Sequence, residues 1–405
     1  MRTLLVSPVF PPAHGGIETL AGHLADHIPG DVLVVTLAAE TPAEQADAAW
    51  PTPGRRVLRV RNVPKGGRRS ILRLNLRALA SGLRYRPDAI LVLHVKLAPV
   101  AFALGRLLGV PSVQYVHAKE MREVPGLARL AVRSADAIIG VSSYSADLAR
   151  EAGAPPSRIQ IIHNGIVLPS TCNARRSQTP TLITVSRLED RYKGHDVMLE
   201  AMPAIRRRVP EVRWMVVGDG DLRPELERRA QETGVADCVT FVGEVADTER
   251  DELLDHAWAY IMLSRQPPGW QAGEGFGIAY IEAGAHGLPT IAGRAPGVTE
   301  AVQHDVTGLL VDPLDAREVA ATAVRLLRDE ALARRLGAGG RTRAEQLQWP
   351  EVVSRVHDVL EHSVRSHARH RPRSGVGLRW TLELLVGARP HPHDSSDGRG
   401  AEHGR

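Results

Sequence analysis

The run Arg2-Thr-Leu-Leu-Val-Ser-Pro-Val9, followed by Pro11-Pro12-Ala-His14-Gly15-Gly16-Ile17-Glu18 and a helical pattern to Ile28, sets the fold class. A strand, a glycine turn and a helix in that order open a Rossmann-type α/β unit. The turn is not G-x-G-x-x-G, so the dinucleotide fingerprint is absent. A Gly-Gly pair at a helix N-terminus still lets backbone N–H groups approach a phosphate, although such a pair is as often a plain turn.

The same alternation continues along the chain. Further strands are predicted at 31–37, 57–60, 89–95, 112–117, 137–141 and 159–163, with helices over 69–86, 100–108 and 143–152. These strands are unbroken Val/Ile/Leu runs, the pattern of strands covered on both faces, which makes an open, mostly parallel sheet the expected architecture. A polar stretch, Pro169 to Pro180, then interrupts the pattern and reads as a linker. Beyond it, strands are predicted at 181–185, 213–217, 239–241, 260–263, 290–292 and 308–311. Helices are predicted at 195–208, 222–233, 248–256, 277–285, 299–302 and 315–327. The expected organisation is a domain over 1–168, a linker over 169–180, a second domain over 181–348, a helix over 349–366 and a basic, disordered tail over 367–405. Two such units in series place a cleft between their strand C-terminal edges.

Length and composition agree with this division. A chain of 405 residues exceeds one core, and 43% hydrophobic with 24% charged residues is the balance of a soluble globular protein. No apolar run reaches the length of a membrane span, and Leu4 to Phe10, short and carrying Pro8, reads as a strand and not as a signal peptide. Two cysteines, Cys172 and Cys238, cannot build a metal cluster or a disulfide framework, which points to a reducing, cytoplasmic setting. The net charge is +5, of which residues 361–405, with eight Arg against five acids, supply +3. The rest is nearly neutral, so the basic balance is no argument for nucleic-acid binding.

The chemistry is expected in Glu274-Gly-Phe-Gly-Ile-Ala-Tyr-Ile-Glu282, after the Pro/Gly loop Gln266 to Gly273. One carboxylate sits on a glycine-rich loop and a second lies two turns into a helix, a placement that suits a polyhydroxylated ligand. The glycines leave backbone N–H groups open to an anion. Arg187 and Lys193 flank a short loop between a strand end and a helix start, where convergent positive charge can neutralise a diphosphate. The alternative for these two is a pair of solvated loop charges. His117 ends a strand, a position more often filled by a satisfied structural histidine. Asp219-Gly220-Asp221 has the look of a divalent-cation loop, but capping of the following helix is an adequate role for Asp221.

The ordered set of motifs resembles a family 4 retaining glycosyltransferase of the GT-B fold, over residues 1–365. It consists of Gly15-Gly16-Ile-Glu18; Val141-Ser142 leading to Asn164-Gly165; Val185-Ser-Arg187-Leu188 with Lys193-Gly194; Val217-Gly218-Asp-Gly220; Glu274 to Glu282; Gly297-Val-Thr-Glu300; and Thr307-Gly308-Leu-Leu-Val311. The resemblance implies an α/β GT-B architecture, with two Rossmann-like domains facing each other across a deep cleft. It implies a nucleotide-diphosphate sugar as donor, a GDP- or UDP-sugar, and a glycan, polyol or lipid-linked acceptor. It also implies transfer with retention and without a metal or other cofactor. By the same resemblance Arg187, Lys193 and the Gly15-Gly16 amides face the diphosphate, and Glu274 and His117 face the sugar. Glu282 takes the ribose, the backbone over 242–245, Val245 included, contacts the base, and Gly275, Phe276 and Gly277 line the donor. An epimerase or phosphorylase on the same fold, or a non-catalytic nucleotide-sugar scaffold, are the competing readings.

One feature lies outside those motifs. Residues 55–77 hold nine basic residues and no acid, and 69–86 reads as an amphipathic helix with Ile71, Leu72, Leu74, Leu76 and Leu79 between the arginines. Such a helix suits an anionic membrane surface, and equally an ordinary helix packed on the sheet with an Arg-rich outer face.

Overall fold

The computed structural model describes residues 1–13, 15–38, 50, 54–62, 67–169, 176–266 and 273–369. The centre of the expected linker, the Pro/Gly loop over 267–272 and the tail from 370 with its apolar patch Leu378–Val386 lie outside the described residues. The first sheet contains β1 (Arg2–Val6), β2 (Asp31–Leu37), β3 (Arg56–Val60), β4 (Ala89–Val92), β5 (Ser112–Val116), β6 (Ala137–Gly140) and β7 (Ile159–Ile161). Their order is β3-β2-β1-β4-β5-β6-β7, and every neighbouring pair is parallel. The second sheet contains β8 (Thr181–Val185), β9 (Arg213–Val217), β10 (Val239–Gly243), β11 (Ala259–Met262), β12 (Thr290–Gly293) and β13 (Gly308–Val311). Its order is β10-β9-β8-β11-β12-β13, again parallel throughout. Leu4, Leu5 and Val6 in β1 have no exposure at all, as the unbroken apolar run requires of a strand covered on both faces.

Strand order reverses between β1 and β4 in one sheet and between β8 and β11 in the other. Open α/β sheets bind ligands at such switch points, beyond the strand C-termini, where loops diverge to opposite faces. Gly15-Gly16 follows β1, while Arg187 and Lys193 follow β8 and Glu274 follows β11.

Helices cover both faces. The first, α1 (Gly16–His27), starts at the glycine pair. Next, α2 (Gly67–Tyr85) buries Ser70, Leu74, Ala78, Gly82 and Tyr85, while Leu72 and Leu76 on its outer face are each 59% exposed. It is followed by α3 (Ala98–Leu108), α4 (Ala118–Glu123), α5 (Pro125–Ser134) and α6 (Ser143–Glu151). Around the second sheet run α7 (His195–Arg208), α8 (Arg223–Glu232), α9 (Asp247–His256), α10 (Ile278–Ala285), α11 (Val298–Ala301), α12 (Ala316–Arg328) and α13 (Glu330–Glu345).

The last helix, α14 (Trp349–Arg369), returns to the first sheet. Trp349 is buried, stacks on His23 of α1 with ring centroids 4.4 Å apart, and fills the space beside Gly165. Ile166 N–H donates to Leu347 O at 2.8 Å, and Arg355 Nη2 donates to Ile161 O at 2.8 Å.

Three details depart from the sequence expectations. Strand β10 runs on to Gly243, so Val242 and Gly243 are strand residues and only Glu244 and Val245 belong to the connection. Helix α8 begins at Arg223 without a side-chain cap, so Asp221 does not cap it. Helix α13 was not anticipated, because Gly337, Gly339 and Gly340 break its helical pattern. Those glycines allow close packing: a Cβ at 337 would lie 2.1 Å from Gly287 O, and one at 339 would lie 2.0 Å from Val306 O. Gly340 meets Gly284 of α10 backbone to backbone.

Candidate active site between the two sheets

The loop after β8 is tied to the end of β11. Leu263 N–H donates to Lys193 O at 3.2 Å and Arg265 N–H donates to Tyr192 O at 2.8 Å. Gly194 adopts φ 76°, and a Cβ there would lie 2.4 Å from Leu263 O, so only glycine admits this approach. Lys193 is thereby carried to Glu274: Nζ lies 2.6 Å from Oε2, with the side chains 15% and 12% exposed. Ser264 Oγ donates to the same carboxylate oxygen at 3.4 Å. Arg187 stands apart from this pair, largely exposed and 3.8 Å from Glu189. Its loop is held from behind, since Leu188 N–H donates to Asp219 O and a Cβ on Gly218 would lie 2.1 Å from Ser186 O.

Gly277 has φ 89° and opens α10, whereas a Cβ on Gly275 would meet only ordinary contacts, the nearest being Ala118 N at 3.8 Å. The Phe276 ring is buried and stacked on His163, centroids 4.6 Å apart and planes 8° apart, so only its backbone is left to face a donor. Glu282 lies about one turn into α10, facing Arg250, Asp247 and Asp251 of α9. Burial pushes its carboxyl up from the usual range. Arg250 opposes that shift and the two aspartates add to it. Val245 leads into α9, which carries the groups facing Glu282, and packs partly buried against the core.

On the opposite rim, His117 follows β5. Its Nε2 donates to Leu93 O at 3.2 Å, and its backbone N–H donates to Glu120 Oε1 at 3.1 Å. Glu120 is buried; its Oε2 accepts Val95 N–H at 3.0 Å and lies 2.7 Å from His94 Nδ1. Burial pushes the His117 imidazole below its ordinary value against the pull of Glu120, which keeps the ring neutral. A Cβ on Gly15 would lie 2.4 Å from Glu18 Oε2, whereas position 16 faces open space. The rims touch at Lys119 Nζ to Asp190 Oδ1, 3.3 Å, and at Ser142 Oγ, which donates to Gly275 O at 2.6 Å.

Two family models match the chain, Glycosyltransferase Family 4 over residues 14–168 and Glycosyl transferases group 1 over residues 172–343. A GDP-mannose-dependent alpha-(1-6)-phosphatidylinositol monomannoside mannosyltransferase of Mycobacterium tuberculosis is 31% identical over 389 residues, 89% of this chain and 98% of that protein. The chain belongs to the family 4 glycosyltransferases. A glycogen synthase of the same organism is 27% identical over 411 residues, 92% of this chain and 97% of that protein. Among solved structures, a sucrose-phosphate synthase from Thermosynechococcus elongatus aligns with TM-score 0.78 at 22% identity, over 90% of this chain and 99% of that one. Anabaena HepE, crystallised with UDP and glucose, aligns with TM-score 0.72 at 21% identity, over 89% and 99%. These likenesses establish the GT-B fold.

Within this glycosyltransferase Asp219 of the two-aspartate loop is engaged by protein groups. Asp219 Oδ2 lies 2.8 Å from Arg223 Nη1, and Oδ1 accepts Gly220 N–H at 2.7 Å. Sequence reasoning gave no role to His94, Glu120, Ser143 or Glu300. For Glu120 the signal was present, since an acid three residues after His117 has capping-box spacing. His195 is buried and bonds Ser186 Oγ at 3.0 Å, which makes it part of the fold of the β8 loop.

Proposed function

We propose that this glycosyltransferase moves a hexosyl group from a nucleotide-diphosphate sugar to a lipid-linked or glycan acceptor with retention at the anomeric carbon. The observation that carries the reading is the Lys193–Glu274 pair, 2.6 Å apart and mostly shielded from water at the switch point of the second sheet. An incoming diphosphate competes for Lys193, and the carboxylate so released accepts hydrogen bonds from sugar hydroxyls. Arg187, exposed at the mouth, adds charge for the outer phosphate oxygens, and the open backbone at Gly16 adds N–H groups from the other rim. Glu282, with no hydrogen-bond donor to its carboxylate among the described residues, takes the ribose, and Val245 sits at the base. Neutral His117 faces the sugar across from Gly275.

Both carboxylates of the 274–282 stretch have binding roles in this scheme, which favours a front-face substitution over a covalent glycosyl-enzyme. The bond from the anomeric carbon to the phosphate oxygen breaks, the acceptor oxygen bonds to the same face, and the acceptor proton passes to the departing phosphate. Lys193 and Arg187 supply the positive charge, so no metal is required, and Asp219 is already neutralised by Arg223. The similarity to GDP-mannose-dependent relatives supports GDP-mannose as donor. Incubation with GDP-, UDP- and ADP-sugars and lipid extract, with the product's anomeric configuration read by NMR, tests the proposal. Absence of transfer from every donor, inversion, or abolition by a chelator would each overturn its corresponding part.

The acceptor side supports work on the cytoplasmic face of a membrane. Helix α2 carries Arg68, Arg69, Arg73, Arg77 and Arg84 with no acid, and Arg73, Leu76 and Arg77 share a hollow with Arg59 and Arg61. Leu72, Leu76 and Leu83 are exposed beside them. Charge attracts anionic headgroups and the leucines enter the acyl boundary. No helix among the described residues is long and apolar enough to cross a membrane. Vesicles with phosphatidylglycerol should retain the protein at low salt and release it at high salt. No retention at low salt removes the membrane from the scheme.

A further inference from the structure

Two consecutive peptide units of the donor loop are gripped from both sides. Gly297, at φ 81°, opens α11 directly against them: a Cβ there would lie 2.4 Å from Glu274 O and 2.9 Å from Gly275 O. From the first sheet comes Ser142, the N-cap of α6, fully buried, whose Oγ accepts Ser145 N–H at 3.2 Å and donates to Gly275 O at 2.6 Å. Its neighbour Ser143 donates from both N–H and Oγ to Glu300 Oε1, at 2.8 and 2.6 Å. Glu300 belongs to α11, so its carboxylate crosses the cleft to the N-terminal end of α6, where unpaired N–H groups favour an anion. His163, after β7, stacks on Phe276 in the same loop, and its Nδ1 donates to Val141 O at 3.0 Å.

Three of these contacts, Ser142 Oγ to Gly275 O, Ser143 to Glu300 and His163 on Phe276, join the first sheet's edge to the second sheet's side and exist only while the two edges meet. Separation would break the Ser142–Gly275 and Ser143–Glu300 hydrogen bonds together. Of the groups placed above at the nucleotide, Arg187, Lys193, Glu282 and Val245 lie on the second sheet's side, and only the Gly16 backbone comes from the first.

We propose that Ser142, Ser143 and Glu300 form a closure latch: positioning residues that seat the Glu274–Gly275 peptide for transfer without contributing to nucleotide binding. The proposal rests on the glycosyltransferase reading for its kinetic consequence, but the latch itself is a physical contact that can be measured without turnover.

The test uses the full chain with Ser143→Ala, Glu300→Ala and Glu300→Gln. Steady-state transfer, the dissociation constants of GDP and UDP, and the radius of gyration from small-angle scattering with and without those nucleotides are compared. Glu300→Ala is expected to lower kcat by roughly tenfold to a hundredfold, the scale of misplacing a reacting group, with nucleotide affinity changed by less than about twofold. It should also enlarge the radius of gyration. Glu300→Gln keeps an acceptor oxygen for Ser143 and should recover most of the loss. Ser143→Ala removes an exposed hydroxyl outside both cores, and keeps the question answerable if Glu300→Ala does not fold. A wild-type kcat in the Ala variants, equal losses in kcat and nucleotide affinity, or unchanged scattering would each overturn the latch. If the wild type transfers no sugar at all, the functional reading fails, and scattering alone still decides the latch.

Discussion

On the rim supplied by the first sheet, His117 is held by its own surroundings: the ring donates to Leu93 O and the backbone is fixed by buried Glu120. On the rim supplied by the second, Lys193 and Glu274 hold each other, and Arg187 stands in solvent. The first arrangement is complete without a ligand. The second contains two charges whose best partner is each other until something better arrives. A site built this way separates the task of shaping the pocket from the task of meeting charge, and the two rims should respond differently to mutation.

The largest effect is expected on the charged rim. Lys193→Ala should lower kcat by on the order of a hundredfold or more, since it removes a charge-stabilising donor and leaves Glu274 unpaired. Arg187→Ala should cost far less, because that guanidinium is already solvated. Equal losses in the two would erase the distinction drawn between them. Next comes Glu274→Gln, expected to reduce transfer by roughly tenfold to a hundredfold while GDP and UDP titrations stay near wild type. A variant that transfers at the wild-type rate would show that the sugar lies elsewhere.

On the self-contained rim, Glu120→Gln keeps the shape but removes the charge facing His94. About a tenfold loss in kcat is expected, within the range for removing a group that orients another. A larger loss than for Lys193→Ala would invert the comparison. The smallest effect concerns what the rims share, which is an imidazole kept neutral. Burial, with Lys193 adding to it, lowers His195 to about 4 from an ordinary 6.5. Because its folded value is depressed, the unfolded chain takes up the proton first. The associated stability is complete above pH 6.5 and is lost as pH falls toward 4, by on the order of 3 kcal/mol at most. Denaturant unfolding at pH 7.5 and 4.5 measures it, and His195→Gln should flatten that slope.

Much of this could be read from the chain because parallel α/β sheets leave a strong local trace. Buried strands such as β1 and β9 are continuous apolar runs, and their C-terminal glycines mark the turns. Arg187 and Lys193 were visible because they stand between a strand end and a helix start, and Glu274 and Glu282 because they belong to a recognisable order of motifs. What escaped depends on contacts distant in sequence. The role of Gly340 becomes clear only once α10 lies against α13. Ser143 and Glu300, 157 residues apart, meet only when two sheets face each other. The arginine helix was read correctly as amphipathic, but which leucines face outward was not predictable from period alone. Leu74 is buried whereas Leu72 and Leu76 are not.

The return of α14 to the first sheet has a consequence for biosynthesis. The seat for Trp349, between His23 and Gly165, belongs to the part of the chain that leaves the ribosome first, whereas its occupant is made nearly two hundred residues after Gly165. For that interval the early lobe must carry an apolar notch open to water. A chaperone that shields one aromatic-sized gap, or a nascent second lobe that folds quickly, would bridge the wait. Stalled chains ending before Trp349 are therefore where aggregation should concentrate during production of this protein.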